Sequence, residues 1–437
     1  MPKSFVFVFI YLTNVIDAYT LTRIGSFSAK HAAFTSLHLN SQTKGNNSYN
    51  LLISTFGAPS LFGASDSVLL VRDIGSKLNN IASISPELLT TKVTWPNEVV
   101  AVPDNIFTSE TIVIPDGFLV PFKTKGAIKI MEITNGNING PYTLSETDSA
   151  GDWFYHRVEW FDMDGDGDQD IVTCRAREPA IPLLFGKEDE ELIWLENPSG
   201  NFKSGTWNTH VLTHGPGVYF RFAQMNTNEG VKNVVFTAQF FTKSLSVYWT
   251  TQQGGLFTDP SKIQSRVIDN QIGSVFEVEV TDLNNDGKPD LLVTTNGSNG
   301  TLLAYQIPDD FRTGTFIKHT IDVGFRPRTS GIGKGAPGSA FTIYPNIKDT
   351  NMKPTVLLSG DDDGRAYIYE PLTQDPLDWS YNKTTFCDAG SGTVGEVSAA
   401  DIDGDGLLEI IVPSYTTGDI FIYSYKQSRV EPGMVVG

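Results

Sequence analysis

Three acidic runs in this chain have the residue types and the spacing to hold a hard divalent cation. They are Asp162-Met-Asp-Gly-Asp-Gly-Asp-Gln-Asp170, Asp282-Leu-Asn-Asn-Asp-Gly-Lys-Pro-Asp290 and Asp401-Ile-Asp-Gly-Asp-Gly-Leu-Leu-Glu409. Each reads D-x-[DN]-x-D-G-x-x-[DE]. Ca²⁺ takes about six to eight oxygens at about 2.3–2.6 Å in a forgiving geometry. Side chains at positions 1, 3 and 5 of a tight loop can converge on one ion: Asp162, Asp164 and Asp166; Asp282, Asn284 and Asp286; Asp401, Asp403 and Asp405. Position 6 is Gly167, Gly287 or Gly406, where a sharp turn requires a positive φ that glycine adopts without steric cost. Position 7 can offer its main-chain carbonyl, so its side chain varies: Asp168, Lys288 or Leu407. Position 9 closes each site with Asp170, Asp290 or Glu409. Without a cation, the crowded carboxylates repel by about 1 kcal/mol or more per pair.

These are not helix-flanked EF-hand loops. Such a loop needs a bidentate Glu at its twelfth position, which here is Thr173, Val293 or Val412. The residues after each run are β-branched and apolar (Ile171-Val-Thr-Cys, Leu291-Leu-Val-Thr-Thr, Ile410-Ile-Val-Pro), the pattern of a buried strand. The loops therefore join strand to strand.

The runs start about 120 residues apart, long for one supersecondary unit; half that interval suits a four-stranded propeller blade. Degenerate copies lie midway. Val218 to Phe236 keeps the strand–loop–strand shape, with Asn226, Asn228, Gly230 and Asn233 in the places of carboxylates and turn glycine. Phe341 to Leu358 does the same, with Met352 replacing the glycine. Upstream, His38 to Ile53 and Pro103 to Ile114 add two more, so the loops start near 40, 104, 162, 224, 282, 346 and 401. After each apolar strand comes an aromatic strand, such as Leu192-Ile-Trp-Leu-Glu or Ala366-Tyr-Ile-Tyr-Glu, then an outer strand such as Trp207-Asn-Thr-His-Val-Leu. The reading is an all-β, seven-bladed β-propeller of four-stranded blades. The last blade lacks an outer strand after Tyr425, and Tyr19-Thr-Leu-Thr-Arg-Ile-Gly supplies one. Pairing it there closes the ring and removes two sheet edges.

The N-terminus has a charged start, a short apolar stretch and a small residue at Ala18, which reads as a signal peptide over residues 1–18. One propeller is then expected over 19–437, with a short tail from about 428. No later segment has about 18 uninterrupted apolar residues, so membrane insertion is not expected. Sequons at Asn46, Asn296, Asn299 and Asn382 fit a secreted glycoprotein. The net charge of −18 includes twelve acidic residues in the three runs. No basic patch offers itself to phosphates, which argues against nucleic acid as a partner.

The chain resembles the FG-GAP/VCBS repeat proteins, which include the calcium-binding propeller of integrin alpha subunits. The resemblance rests on the three acidic runs, on their decayed copies and on Phe56-Gly-Ala-Pro59, and it covers nearly all of the chain after residue 18. It implies that each acidic loop joins the innermost and second strands of a blade, and that about three Ca²⁺ are structural.

Catalytic signals are sparse. There is no HExxH, CxxC pair or GxSxG among the six histidines and two cysteines. His210 and His319 fall at equivalent outer-strand positions and are expected to pack. His156 and His214 each precede an innermost strand, and are expected near the mouth of the central channel. With Arg157, Asp152 and Tyr219 they are the candidates for acid–base work. Cys174 and Cys387 are placed in the third and seventh blades, too far apart for a disulfide, whose Cα atoms must lie within roughly 7 Å. Two functions are compatible with these signals. The favoured one is a secreted binding or adhesion module for carbohydrate or extracellular protein, with Trp194, Trp249 and Trp379 as candidate stacking residues. The rival is a sugar-active lyase, dehydratase or hydrolase using the channel.

Overall fold

A computed structural model describes residues 18–39, 48–57, 65–107, 109–118, 123–134, 137–145, 153–177, 189–199, 202–203, 205–331 and 333–428. Seven four-stranded antiparallel sheets make up the fold, a seven-bladed β-propeller. The innermost strands, in blade order, are Ala32–Leu39, Val100–Ala101, Phe154–Phe161, Tyr219–Thr227, Val275–Thr281, Ala340–Ile343 and Ser398–Ala400. In each sheet the chain then steps outward strand by strand. The exception is the seventh, where the outermost strand is the N-terminal segment Ala18–Ser28.

The second strand of each blade is the most apolar because it is covered on both faces by neighbouring blades. Every residue of Asp290–Thr295, Thr355–Ser359 and Glu409–Ser414 is buried. One core cluster shows how blades join: Leu292 and Leu302 of blade 5 pack with Val356, Leu358 and Tyr369 of blade 6. Each fully buried side chain of this kind contributes about 1.5–3 kcal/mol. The cores are thus shared between blades, which makes one ring the smallest unit that buries them all.

Closure uses the pairing expected from Tyr19 onward. Ala18–Ser28 runs antiparallel to Asp419–Ser428, from Ala18↔Ser428 to Ser28↔Asp419, with an irregularity between Arg23 and Gly25. The Tyr19 hydroxyl donates to Asp349 (2.6 Å) and accepts from Asn346 (3.0 Å), tying the closing strand to blade 6.

Two sequence readings need correction. The fourth hairpin keeps the strand–turn–strand shape and the turn glycine, Gly230 at φ 100°, but not the loop. Its strands stay paired through Met225↔Lys232 and Asn226↔Val231 to Thr227↔Gly230, so Asn226 and Asn233 are ladder residues and only Asn228 and Glu229 remain for the turn. Cys387 lies in the outer strand of blade 6, not in blade 7, because the innermost strand of blade 7 begins only at Ser398. Both cysteines are buried and unbonded, as expected. Residues 1–17, the Asn46 sequon, Asp152 and the tail from 429 lie outside the described residues. No helix among the described residues is long and apolar enough to cross a membrane.

Candidate functional site

The three acidic runs are the connections between the first and second strands of blades 3, 5 and 7. They share one internal geometry. The position 1 carboxylate folds the loop by accepting main-chain N–H groups: Asp162 from Gly165 (2.7 Å) and Gly167 (3.2 Å), Asp282 from Asp286 (3.2 Å) and Gly287 (2.8 Å), Asp401 from Gly404 (2.8 Å) and Gly406 (3.0 Å). Position 3 accepts from the N–H of position 5 in all three, at 3.1, 3.1 and 3.2 Å. Position 9 reaches back to the N–H of position 2: Asp170 to Met163 (2.9 Å), Asp290 to Leu283 (3.1 Å), Glu409 to Ile402 (3.1 Å).

Such a turn needs left-handed backbone twice. Gly167, Gly287 and Gly406 have φ of 99°, 83° and 93° at position 6. Position 4 is left-handed too, through Gly165, Asn285 and Gly404 at 83°, 59° and 80°. That second requirement was readable, since glycine and asparagine are the residues that tolerate it.

Three features fit a bound cation. Carboxylate oxygens of Asp162, Asp164 and Asp166 lie within 4.8 Å of one another, as do those of Asp401, Asp403 and Asp405. The position 9 groups are buried, which pushes Asp170 and Asp290 up to about 7 and Glu409 up to about 8, with neighbouring loop carboxylates adding to the effect. Finally, Oε1 of Glu409 is buried with no hydrogen-bond partner; the Ser424 hydroxyl is turned to the Tyr425 carbonyl (3.2 Å). Ligand sets would be Asp162, Asp164, Asp166, Asp170 and the carbonyl of Asp168; Asp282, Asn284, Asp286, Asp290 and the carbonyl of Lys288; and Asp401, Asp403, Asp405, Glu409 and the carbonyl of Leu407. The Lys288 ammonium is held by Asp309 (2.7 Å).

The ring axis carries a second constellation. Rings of Phe34, His156 and Phe276, from blades 1, 3 and 5, meet at centroid distances of 5.8 and 6.4 Å. These blades are not neighbours, so the contact is made across the axis. Beyond these rings, toward the acidic loops, lies a cavity of about 400 Å³ walled by Glu98, Arg157, Tyr219, Arg221, Glu277, Glu279 and Glu396 among others. Arg157 pairs with Glu98 (3.2 Å) and Glu159 (3.3 Å) and donates to the Tyr219 hydroxyl. Arg221 pairs with Glu159 (3.1 Å) and with both oxygens of Glu279, one at 2.8 Å.

Several glutamates also cap the exposed inner edge of the next blade. Glu98 accepts from Val158 N–H (3.3 Å), Glu159 from Phe222 N–H (2.7 Å) and Glu277 from Ala340 N–H (2.7 Å). An innermost strand has an unpaired edge, and these carboxylates satisfy it. Two guanidinium groups cannot neutralise five carboxylates. Burial pushes Glu159 up to about 7 and raises Glu98; it also raises Glu277, Glu279 and Glu396, which repel one another.

Sequence reasoning found Arg157 and Tyr219 but missed all five glutamates. A signal existed. Arg157 and Glu159, Glu277 and Glu279, and Glu396 and Ser398 stand five and three residues before the first Asp of their loops.

The structure separates the two candidate histidines. His156 is buried within the innermost strand of blade 3, with Nδ1 unpartnered, and burial together with Arg157 lowers it to about 4. It is therefore a neutral imidazole near neutral pH. His214 ends the outer strand of the same blade, its side chain 79% exposed and 3.6 Å from Glu191. It is not at the channel, because an outer strand ends at the rim. His210 stacks on Trp194 (4.2 Å) and His319 on Trp379 (4.1 Å), so both pack as expected. The tryptophans are committed to the same packing: Trp194 is buried, and Trp249 meets Phe311 edge-on.

No family model and no curated protein matches the sequence. Among solved structures, the chain is similar to the N-terminal domain of Nup159, at 10% identity and TM-score 0.48 over 94% of this chain and 97% of that one. It is similar also to a chain of the S. cerevisiae Dbp5 complex with Nup159, Gle1, IP6 and ADP, at 10% identity and TM-score 0.48 over 94% and 95%.

Proposed function

We propose that this propeller is a secreted binding module of the FG-GAP/VCBS kind, held rigid by about three structural Ca²⁺, and that it presents its faces to carbohydrate or extracellular protein. The observation that carries the calcium part is the threefold recurrence of one loop geometry. The loops of three blades repeat the same carboxylate-to-main-chain bonding, and in blades 3 and 7 three carboxylates converge where repulsion would otherwise splay the turn. Calcium bound there would join the first two strands of a blade and couple ion binding to folding. Chelation followed by metal analysis and thermal unfolding tests it. About three Ca²⁺ per chain and a marked fall in melting temperature in strong chelator are expected; unchanged melting would remove the structural role.

Secretion is supported by the N-terminal pattern, and it predicts glycans at particular sequons. Asn382 is exposed on an outer strand and Asn299 is exposed in a turn, whereas the Asn296 amide is spent on the Pro337 carbonyl (2.8 Å) and Asp361 (3.0 Å). Glycopeptide mass spectrometry should find Asn299 and Asn382 occupied and Asn296 bare.

A second reading has its own observation. The axial cavity gathers carboxyls with raised proton affinity, Glu98, Glu277, Glu279 and Glu396, beside Arg157 and Tyr219, the combination that general acid–base chemistry uses. A sugar-active enzyme would use Glu277 or Glu396 there. Loss of turnover on a sugar panel in Glu277→Gln and Glu396→Gln, with melting retained, would favour it over the binding module.

A further inference from the structure

Away from the axis, a second cavity of about 350 Å³ opens between blades 5 and 6. The end of the blade 5 outer strand and the connector after it, Val323 to Arg328, form one wall; Asp363, Arg365, Tyr367 and Lys383 of blade 6 form the other. The chain carries a net charge of −18. Yet four of the ten residues lining this cavity are cations (Arg326, Arg328, Arg365 and Lys383) and one is a carboxylate.

Three of the cations are fixed. Arg328 holds both oxygens of Asp388 at 2.7 Å and donates to the Gly390 carbonyl (2.6 Å). Arg365 pairs with Asp363 (2.7 Å). Lys383 pairs with Asp322 (2.7 Å) and lies over the Tyr367 and Phe325 rings at 4.2 and 4.4 Å. Arg326 differs. It is exposed, and among the described residues no carboxylate lies within ion-pair distance and its one side-chain hydrogen bond is a long one, 3.5 Å to Asn299. Asp322, Asp363 and Asp388 set against the four cations leave one positive charge over.

We propose that this cleft binds the anionic group of an acidic saccharide, a uronate carboxylate or a sugar sulfate, with Arg326 as the contact that closes on it. The inference rests on the carbohydrate side of the binding-module reading and names the ligand class. The lining sets guanidinium donors beside one carboxylate acceptor, Asp363, while Asp388 and the Gly390 carbonyl stand behind Arg328 and hold it in place. A sugar brings hydroxyl donors for that acceptor beside its anion. An acidic peptide side chain brings no hydroxyl donor for Asp363, whose charge would repel it. The volume lies toward the small end of ligand pockets, of about 300–1,000 Å³, which suits one or two sugar rings rather than a polymer groove.

The test is calorimetric titration of the full chain in calcium with a glucuronate-containing disaccharide without sulfate, a sulfated galactose disaccharide without carboxylate, neutral cellobiose and an oligo-glutamate peptide. One or both acidic sugars should bind, and which of them binds distinguishes carboxylate from sulfate. Cellobiose and the peptide should not compete, and raised salt should weaken binding. Arg326→Glu should weaken binding by about tenfold or more, the loss of one charge-assisted contact. Arg326→Lys should restore most of it, and the melting temperature of both variants should stay at the wild-type value. Wild-type binding in Arg326→Glu, or equal competition by the peptide, overturns the assignment. If a glycan array shows binding that Arg326→Glu leaves untouched, the carbohydrate module stands and this cleft is not its site. If no glycan binds at all, the carbohydrate reading falls as well.

Discussion

Replacing Asp401 by Ala separates the loop's two energetic roles. The Asp401 carboxylate is buried and accepts the N–H groups of Gly404 (2.8 Å) and Gly406 (3.0 Å). Each such bond contributes about 0.5–1.5 kcal/mol net, so losing both costs about 1–3 kcal/mol with or without an ion. The same carboxylate is also one of three whose oxygens lie within 4.8 Å of one another. If the loop holds Ca²⁺, removing it forfeits the linkage free energy too, about 2.7 kcal/mol where calcium stands at a hundred times its dissociation constant. Asp401→Ala should therefore lose about 4–6 kcal/mol in millimolar calcium and about 1–3 kcal/mol in strong chelator. Denaturant unfolding of both proteins in both buffers reads the difference. Equal losses in the two buffers would refute the ion linkage while leaving the hydrogen-bond account intact.

The axis and the ring closure give further expected outcomes. Arg157→Met strands Glu98 without its cation and leaves Glu159 to Arg221 alone, and should cost about 3–5 kcal/mol, read as a shift in denaturant midpoint. Burial raises Glu159 from 4.5 to about 7. A carboxyl raised in this way binds its proton more tightly when folded, so its contribution is complete below about pH 4.5 and is lost as pH rises through about 7. With calcium present, stability should fall across that window, and Glu277→Gln, which removes a neighbour raised in the same direction, should flatten the slope. Deleting residues 18–28 removes the outer strand of the last blade and bares the edge of Asp419–Ser428. Size-exclusion chromatography should then show aggregation rather than a stable six-and-three-quarter-blade monomer.

Much of the architecture was legible because it is written locally. A nine-residue loop that must turn twice through left-handed backbone while aiming carboxylates inward admits few residues, so Asp162 to Asp170 and its two copies betray themselves by type and spacing alone. Their phase then located the apolar second strands, and the unmatched last blade pointed to Tyr19 as its partner. In the fourth hairpin that legibility is only partial: Gly230 takes the left-handed turn backbone (φ 100°), but Asn226 and Asn233 imitate worn ligands and sit in a continuous ladder.

The chain by itself determined the loops, the blade number and the manner of closure, since each depends on contacts within a blade or on repetition along the sequence. The tertiary structure alone decided what stands at the axis and in the cleft. Glu98, Arg157, Arg221, Glu277 and Glu396 come from five different blades, and each is an ordinary charged residue on, or two residues before, its own innermost strand. They become one buried, mutually titrating group only when the ring closes and brings seven innermost strands around a common centre. His156 and His214 diverge for the same reason: a single blade carries one to the axis and the other to the rim.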